Sequence, residues 1–229
     1  MTKHAIHADL LMDLTWALST EETRYYLQGV YIDEQSRLVA TDGHVLAVIC
    51  PEYGKFSPEF FAALKGLIVR LPPPKEARSR RGFQKWIVID DKTGGLHITQ
   101  TASDRPPETA LAAQPTYISP DPCFIDGTFP DWMRVLPFSN LGALKATSVI
   151  SPAVLSTIAS FFEGIDGAFL QFFQDKPDDP IVVRTKASDD RFMVAMPGRG
   201  PRAGTNQNAY PDWLGRALRG SASLACAAE

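Results

Sequence analysis

The chain has 229 residues, of which 45% are hydrophobic and 21% are charged, and its formal net charge is −3 at pH 7. This length and composition predict a globular protein with a substantial core, folded as one large or two small domains. The apolar runs are short and the N-terminal segment has neither a basic start nor an unbroken apolar core, so we expect a cytoplasmic protein without a signal peptide or a membrane span.

The first predicted unit is an amphipathic helix followed by three antiparallel strands. Leu11, Leu14 and Leu18 stand at helical spacing, which predicts a helix over residues 6–18. Apolar and β-branched runs separated by polar residues then predict strands at residues 25–33, 37–41 and 44–50. The turn before the last strand carries an exposed Asp42-Gly43-His44.

The second predicted unit is looser. An extra helix over residues 57–65, capped by Ser57, precedes it. The unit itself is expected to comprise a strand, a short helix, a hairpin and a closing strand, at residues 67–71, 74–82, 85–90 with 96–101, and 123–126. Residues 104–122 are rich in Pro, Ala and Thr, which predicts a long surface loop.

The third predicted unit is compact. It contains a helix capped by Ser151 and four strands, with the strand at residues 147–150, the helix at 152–162 and further strands at 168–174, 181–185 and 191–196. Beyond it the chain is rich in Gly, Arg and Ala, with one short helix expected at residues 210–218. The weak repetition of one unit favours an assembly of similar modules.

Three separated segments resemble the bacterial DNA sliding clamp, the β subunit of DNA polymerase III, in the correct order. They are residues 24–29 with 39–47, residues 126–137, and residues 192–199. The resemblance implies an α+β DNA clamp fold, built from strand-helix-three-strand units with antiparallel sheets and amounting to about one and a half clamp domains. Residues 1–140 then correspond to the middle domain, 141–199 to the second half of the C-terminal domain, and 200–229 to a C-terminal extension.

The same family has a pocket between its middle and C-terminal domains that accepts short peptides from polymerases, clamp loaders and repair proteins. The residues that match this pocket are Leu27, Thr41, Gly43, His44, Leu46, Pro130, Arg134, Val135, Val194, Met196 and Pro197. Aliphatic and Met side chains adapt to apolar anchors, while His44 and Arg134 can orient a polar residue. Val45 stands where the family usually has Arg, and Gly198 where it often has Met, so we expect an altered peptide choice.

Each of these residues also has an ordinary structural interpretation. The apolar residues, taken singly, are typical of a protein core. His44 is equally consistent with an exposed turn position that follows an Asx-type turn made by Asp42.

Because the net charge is negative, DNA binding requires a locally basic surface. The residues expected to contact DNA are Arg24, Tyr25, Tyr26, Lys75, Arg78, Arg80 and Arg81, with Lys85 beside them. A clamp slides, so it needs attraction to phosphate and no base readout. A solvated loop is the alternative for residues 75–85, and Asp9 and Asp13 would repel phosphate from the first helix. Arg199, Arg202, Arg216 and Arg219 offer a second route in a flexible arm.

No catalytic constellation is recognisable, so we expect a protein that is not an enzyme and needs neither cofactor nor metal. Asp42 and His44 lack a nucleophile tied to them, and residues 198–204 lack the Gly-Lys-Ser/Thr ending of a phosphate loop. The His residues are dispersed, and Asp175, Asp178 and Asp179 suit a solvated turn better than a calcium site. Three cysteines without a C-x-x-C pair predict free thiols.

Two functional hypotheses follow from the sequence. The first is a sliding-clamp-like accessory protein of DNA replication and repair, which binds polymerase or clamp-loader peptides and contacts duplex DNA non-specifically as a homo-oligomer. The second is a monomeric regulatory or decoy module that binds the same peptides without encircling DNA. A diverged enzyme on this fold is a third, weaker reading, because it lacks catalytic residues.

Overall fold

The computed structural model describes residues 2–79, 81–103, 105–137, 150–176 and 178–198, together with the backbone of residues 142–143. The chain up to Gly198 forms one compact unit. Several predicted features lie outside the described residues: Arg80, residues 147–149, the arginines from Arg199 onward, the helix at 210–218 and Cys226. The predicted domain boundary at residue 140 also lies outside the described residues, so it stays a prediction.

The first strand-helix-three-strand unit is completed by residue 49. Its elements are β1 (Lys3–His7), α1 (Ala8–Leu14), 3₁₀ helices at Thr15–Ala17 and Glu22–Leu27, β2 (Val30–Ile32), β3 (Leu38–Thr41) and β4 (Val45–Ile49).

A short helix, α2 (Phe60–Leu64), precedes the second unit. The elements of the unit, which include an additional helix α4, are β5 (Ile68–Val69), α3 (Pro74–Ala77), β6 (Phe83–Asp90), β7 (Leu96–Ala102), α4 (Pro107–Ala112), β8 (Pro115–Ile118) and β9 (Phe124–Ile125).

The third unit begins after a 3₁₀ turn at Trp132–Val135. Its elements are β10 (Gly142–Ala143), α5 (Pro152–Phe161), β11 (Leu170–Gln174), β12 (Ile181–Thr185) and β13 (Arg191–Ala195).

The strands form two antiparallel sheets, which confirms the predicted α+β class. The smaller sheet has the order β1-β6-β7-β8, and the larger one has the order β10-β11-β12-β13-β4-β3-β2-β5-β9. The first two units exchange their first strands, since β1 pairs with β6 and β5 pairs with β2. The third unit joins the first through β13 and β4, with Val194 opposite Leu46.

Strands β3 and β4, in the middle of the larger sheet, are buried on both faces, and successive residues along them enter two different cores. In β4, Val45, Ala47 and Ile49 enter the larger core, which also contains residues of α1, α2, α5 and the smaller sheet. Leu46 and Val48 enter the outer core, which is covered by the segments around Leu27 and Trp132. Strands buried on both faces read as continuous apolar runs rather than as alternating ones.

Several local predictions are confirmed. The hairpin of β6 and β7 forms as expected, and so do the three strands β11, β12 and β13. Helix α5 is capped by Ser151, whose Oγ accepts a hydrogen bond from the Val154 backbone N–H at 3.2 Å. Pro152 at the first helical position has no N–H that would need a partner there.

The predicted strand at residues 25–33 is wrong at its start. Residues Glu22–Leu27 form a 3₁₀ helix, in which Leu27 is buried while Tyr25 is exposed, and β2 begins only at Val30. Leu27 is held by its carbonyl, which accepts from the Ser19 backbone N–H at 3.0 Å. Gly29 lets the chain turn into the sheet, because a Cβ there would lie 2.7 Å from Ile125 Cδ1.

The predicted helix at residues 6–18 is also wrong at its start, because Lys3–His7 form β1 and the α-helix begins at Ala8. Ile6 faces the larger core while Ala5 packs with Trp86 against α4, which is the alternation of a strand. Residue spacing alone did not separate the two elements, since apolar residues continue across the boundary.

Two further predictions are corrected by tertiary contacts. Ser57 does not cap α2; its Oγ accepts from the Ala5 backbone N–H at 3.0 Å, and Glu59 is the residue before the helix. The region expected to be a long loop, residues 104–122, contains α4 and β8. Helix α4 forms there because Pro107 suits its first position and Ala110 is fully buried against the smaller sheet.

Arg191 connects the third unit to the first helix. Its Nη1 lies 2.7 Å from Asp13 Oδ2 and its Nε lies 3.0 Å from Asp190 Oδ1. Burial raises the pKa of Asp13, although the bond from Arg191 opposes that change. Burial also acts to raise the pKa of Asp190, but the bonds from Arg191 and Ser188 hold it below its ordinary value.

Replacing Arg191 with Met is expected to lower the free energy of unfolding by about 3 kcal/mol near pH 7.5, because Asp13 and Asp190 stay partly buried without their cation. This loss of unfolding free energy should become smaller as the pH falls through the range in which carboxyl groups titrate. The unpaired carboxyls of the folded variant have raised pKa values, so the folded variant binds protons more readily than the unfolded chain. Urea unfolding at pH 7.5 and pH 5 measures both effects. Lys186→Met, at an exposed position of the same hairpin, is the control. A loss independent of pH would contradict the electrostatic explanation.

Candidate functional site

The turn between β3 and β4 is rigidly hydrogen-bonded. Asp42 Oδ1 accepts from the backbone N–H groups of His44 and Val45 at 2.7 and 2.8 Å. Thr41 Oγ1 donates to the Val45 carbonyl at 2.6 Å and accepts from the Gly43 N–H at 3.1 Å. The turn therefore fixes the backbone around His44, whose imidazole is exposed.

The same turn is joined to the third unit. The Met196 backbone N–H donates to the His44 carbonyl at 2.9 Å, immediately beyond the last residue of β13. Gly43 has φ +92°, and a Cβ there would lie 2.9 Å from Arg24 Nη1. Gly43 thus allows both a left-handed turn and the close approach of the Arg24 guanidinium.

A cavity of about 250 Å³ opens beside this turn, and we call it the Trp132 cavity. The 3₁₀ helix Glu22–Leu27, the Asp42 turn, the Trp132–Val135 turn and the residue after β13 each contribute to it. Its lining consists of Arg24, Tyr26, Leu27, Thr41, Gly43, His44, Val45, Leu46, Pro130, Asp131, Trp132, Val135 and Met196. The floor is apolar, while charged and polar groups surround it.

Trp132 is held in the wall of the cavity by a cation from the neighbouring turn. The Arg37 guanidinium lies 4.6 Å from the centroid of the Trp132 ring. Asp33, which is buried, orients Arg37 by accepting from its Nε at 2.7 Å and from its backbone N–H at 2.9 Å. A planar guanidinium that is fixed in this way can stack on an indole face and restrict its rotation.

Most of the residues predicted for a peptide pocket come together here. Eight of the eleven line the Trp132 cavity: Leu27, Thr41, Gly43, His44, Leu46, Pro130, Val135 and Met196. Val194 is almost fully buried in the outer core. Arg134 is exposed and pairs with Asp131, whose Oδ2 is 2.9 Å from its Nε. Pro197 lines a neighbouring depression that shares His44 and Met196 with this cavity.

Sequence reasoning missed several residues of the wall. Trp132 and Asp131 lie inside a segment that was singled out, but neither was predicted to contribute a side chain. Arg24 and Tyr26 were assigned to DNA, yet they line this cavity. Val45 contributes to the lining although its side chain enters the larger core. The signal that could have identified Trp132 is a large aromatic residue between two charged ones in a short turn.

The residues predicted to contact DNA differ in their exposure and lie on different elements. Lys75, Arg78 and Arg81 are exposed around α3, and Tyr25 is half exposed on the 3₁₀ helix. Lys85 is buried, and its Nζ donates to the Glu76 carbonyl, so it is not available to phosphate. Beside Arg78 lie Asp9, Asp13 and Glu163 in a common depression.

The described residues contain no group of three or more His, Cys, Asp or Glu side chains that could hold a metal ion. Within those same ranges, no helix is long and apolar enough to span a membrane. Cys123 is buried, which raises the pKa of its thiol to about 12, and Cys50 is exposed; both are free thiols. The Trp132 cavity is lined by apolar side chains such as Leu27 and Leu46 and has polar groups at its rim, a lining that can recognise an apolar group.

Known proteins that resemble this chain in sequence and in structure include sliding clamps. No family model matches the sequence. The chain is 32% identical over 159 residues to the beta sliding clamp of Caulobacter vibrioides, and the match covers 66% of this chain and 38% of the relative. The chain thus spans about two fifths of the length of the curated relatives that it matches.

Solved sliding clamps share its fold. A Caulobacter crescentus structure described as pol III beta superposes with a TM-score of 0.53 at 20% identity, covering 87% of this chain and 66% of that one. A Bartonella birtlesii sliding clamp, DNA polymerase III subunit beta, bound to griselimycin gives a TM-score of 0.53 at 20% identity, covering 86% and 66%. The clamp fold predicted from three short segments is confirmed.

Replacing Asp42 with Ala is expected to lower the free energy of unfolding by about 1 to 2 kcal/mol, because two turn N–H groups lose their carboxylate acceptor. Amide hydrogen exchange at His44 and Val45 should accelerate more than at the rest of β4. Asp166→Ala, which removes an exposed carboxylate, is the matched control. Equal exchange rates in the two variants would show that the carboxylate does not hold the turn.

Proposed function

We propose that this chain, a diverged relative of the bacterial β sliding clamp, is a binding protein that accepts short peptides of the replication or repair machinery in the Trp132 cavity. Its role is that of a sliding-clamp-like accessory protein rather than an enzyme. The partners are polymerase or clamp-loader peptides.

The observation that supports this function is the convergence of four separate segments on one apolar cavity. The floor includes Leu27 and Leu46, while His44 and Asp131 stand at the rim. A cavity of about 250 Å³ suits one or two apolar side chains, and a peptide gains specificity when backbone and polar groups at the rim orient it. None of the four sequence regions that contribute to it forms the cavity alone.

The relatives support the same proposal. The sequence match to a beta sliding clamp includes less than half of that protein, so the activity of the whole clamp is here a hypothesis. The Bartonella birtlesii clamp is described as bound to griselimycin. Griselimycin is therefore a suitable probe for a site of this kind in the present chain.

The second part of the proposal is that the chain contacts duplex DNA non-specifically as part of a homo-oligomer. The helices α1, α3 and α5 carry three carboxylates, from Asp9, Asp13 and Glu76, and one ammonium, from Lys75. Asp13 is paired with Arg191, but Asp9 and Glu76 still outnumber Lys75. Attraction to phosphate therefore depends on exposed cations around α3, such as Arg78 and Arg81.

That same charge balance favours a second candidate function, a monomeric regulatory or decoy module. Such a protein retains the peptide cavity and does not encircle DNA. The two functions share the Trp132 cavity and differ in their response to DNA and in their oligomeric state.

Met196→Asp is expected to weaken binding of griselimycin or of a labelled clamp-interacting peptide by at least 100-fold, because a bound apolar group would bury an unpaired carboxylate at a cost of several kcal/mol. Leu46→Asp tests the floor of the cavity, and circular dichroism reports whether it folds. Leu155→Asp, on the exposed face of α5, is the matched control. The measurement is fluorescence polarisation, with calorimetry for griselimycin. No binding by the wild type, or equal binding by Met196→Asp, would remove the proposal.

For DNA, replacing Arg78 and Arg81 with Gln is expected to weaken binding uniformly across sequences and to reduce the slope of log K against log salt by about 0.9 for each lost phosphate contact. Lys92→Gln with Lys186→Gln removes two exposed positive charges elsewhere and controls for net charge. Equal slopes in the two double variants, or no binding to duplex DNA, would favour the decoy module over the clamp-like protein.

A further inference from the structure

A second cavity, of about 310 Å³, lies on the third unit, and we call it the Phe192 cavity. It is lined by Leu136, Pro137, Val182, Arg184, Ser188, Asp189, Arg191 and Phe192. Leu136, Val182 and Phe192 are partly buried side chains that pack on the outer core. The cavity therefore opens on the same face of the larger sheet as the Trp132 cavity.

The two cavities are linked by one row of side chains across three strands. In the register of the sheet, Leu46 of β4 lies opposite Val194 of β13, and Val194 lies opposite Val182 of β12. Leu46 lines the Trp132 cavity and Val182 lines the Phe192 cavity. Two strand spacings separate them, which amounts to about 10 Å.

The turn Trp132–Val135 stands between the two openings. Val135 lines the Trp132 cavity, and the next residue, Leu136, lines the Phe192 cavity. Both pack against the cluster of buried side chains that contains Val194. A ligand that follows this turn passes from one cavity directly to the other.

The charges around the Phe192 cavity are not equivalent. Arg191 is neutralised by Asp13 and Asp190. Arg184 is exposed, and its guanidinium lies 5.3 Å from the centroid of the Phe173 ring. None of the ion pairs among the described residues includes Arg184. Of the two cations in the lining, Arg184 is therefore the one available to a ligand, and a guanidinium suits a carboxylate. The exposed Asp189 also lines the cavity, so the pairing favours a ligand carboxylate on the Arg184 side.

We propose that the Phe192 cavity is a second anchoring subsite for the peptide that occupies the Trp132 cavity. It takes one apolar side chain, and Arg184 pairs with an acidic residue beside that side chain. A peptide in the polyproline II conformation advances about 3.1 Å per residue and returns to the same face every three residues, so the two anchors are three residues apart. This inference rests on the proposed function, since it names the peptide chemistry that the same surface selects.

The probes are labelled nonapeptides of serine and alanine that carry either one leucine or two leucines three residues apart, with Asp, Asn or Lys beside the second leucine. The peptide with two leucines and Asp is expected to bind about 10-fold tighter than the peptide with one leucine. Phe192→Ala should abolish that advantage and leave the single-leucine peptide unchanged. Fluorescence polarisation measures each affinity, and griselimycin serves as the competitor.

If Phe192→Ala disturbs folding, Arg184→Glu tests the inference instead, because Arg184 is exposed and is not part of a core. This variant should reverse the order of the Asp and Lys peptides, each by a few-fold. Lys186→Glu makes the same charge change two residues further along and should preserve the order.

The possible outcomes separate this inference from the proposed function. If the single-leucine peptide binds and Met196→Asp abolishes its binding, the Trp132 cavity is supported on its own. Equal affinities of the one- and two-leucine peptides, or equal effects of Arg184→Glu and Lys186→Glu, then overturn the second subsite. If neither kind of peptide binds, both proposals fail.

Discussion

The pairing of β13 with β4 is the constraint on which the rest of the architecture depends. It joins strands that are more than a hundred residues apart in sequence and connects the strands of the third unit to those of the first two in one nine-stranded sheet. It also brings the Met196 N–H to the His44 carbonyl, which closes the Trp132 cavity at one end. Arg191 reinforces the same junction from the opposite face, where it contacts Asp13. The candidate site is thus a product of the junction between units rather than of any one unit.

The outer core positions the side chains that the site presents. Val194 is almost completely buried under the Trp132 turn, and the cavities lie on its two sides. Trp132 keeps its place because Arg37 is fixed by Asp33 on one side and stacks on the indole on the other. Preorganised walls of this kind reduce the entropy that a flexible ligand and a flexible site lose together on binding. The same contacts that hold the Trp132 turn in place therefore also fix the walls of the candidate site.

Sequence patterns predicted most strands and most of the residues that meet around the Trp132 cavity, but they failed where tertiary contacts decide local structure. The run of β4 was recognised as a strand because it is β-branched, although burial on both faces hid which residues enter which core. Tyr25 and Tyr26 suggested a strand because they are aromatic, yet they lie in a 3₁₀ helix. The end of that helix is held by the hydrogen bond from the Ser19 N–H to the Leu27 carbonyl. Trp132 was not assigned to the site because the cation that fixes it comes from a different turn.

The exchange of first strands between the first two units has a consequence for folding. β1 completes the sheet of the second unit and β5 completes that of the first, so neither sheet can close until both units have been synthesised. The β13–β4 pairing has to close a still longer loop of chain. Chains dominated by such non-local pairings fold slowly, since loop-closure entropy is lost before the contacts form. During synthesis the apolar strands of the first unit therefore remain uncovered until their partners leave the ribosome, which exposes the nascent chain to aggregation and to chaperones.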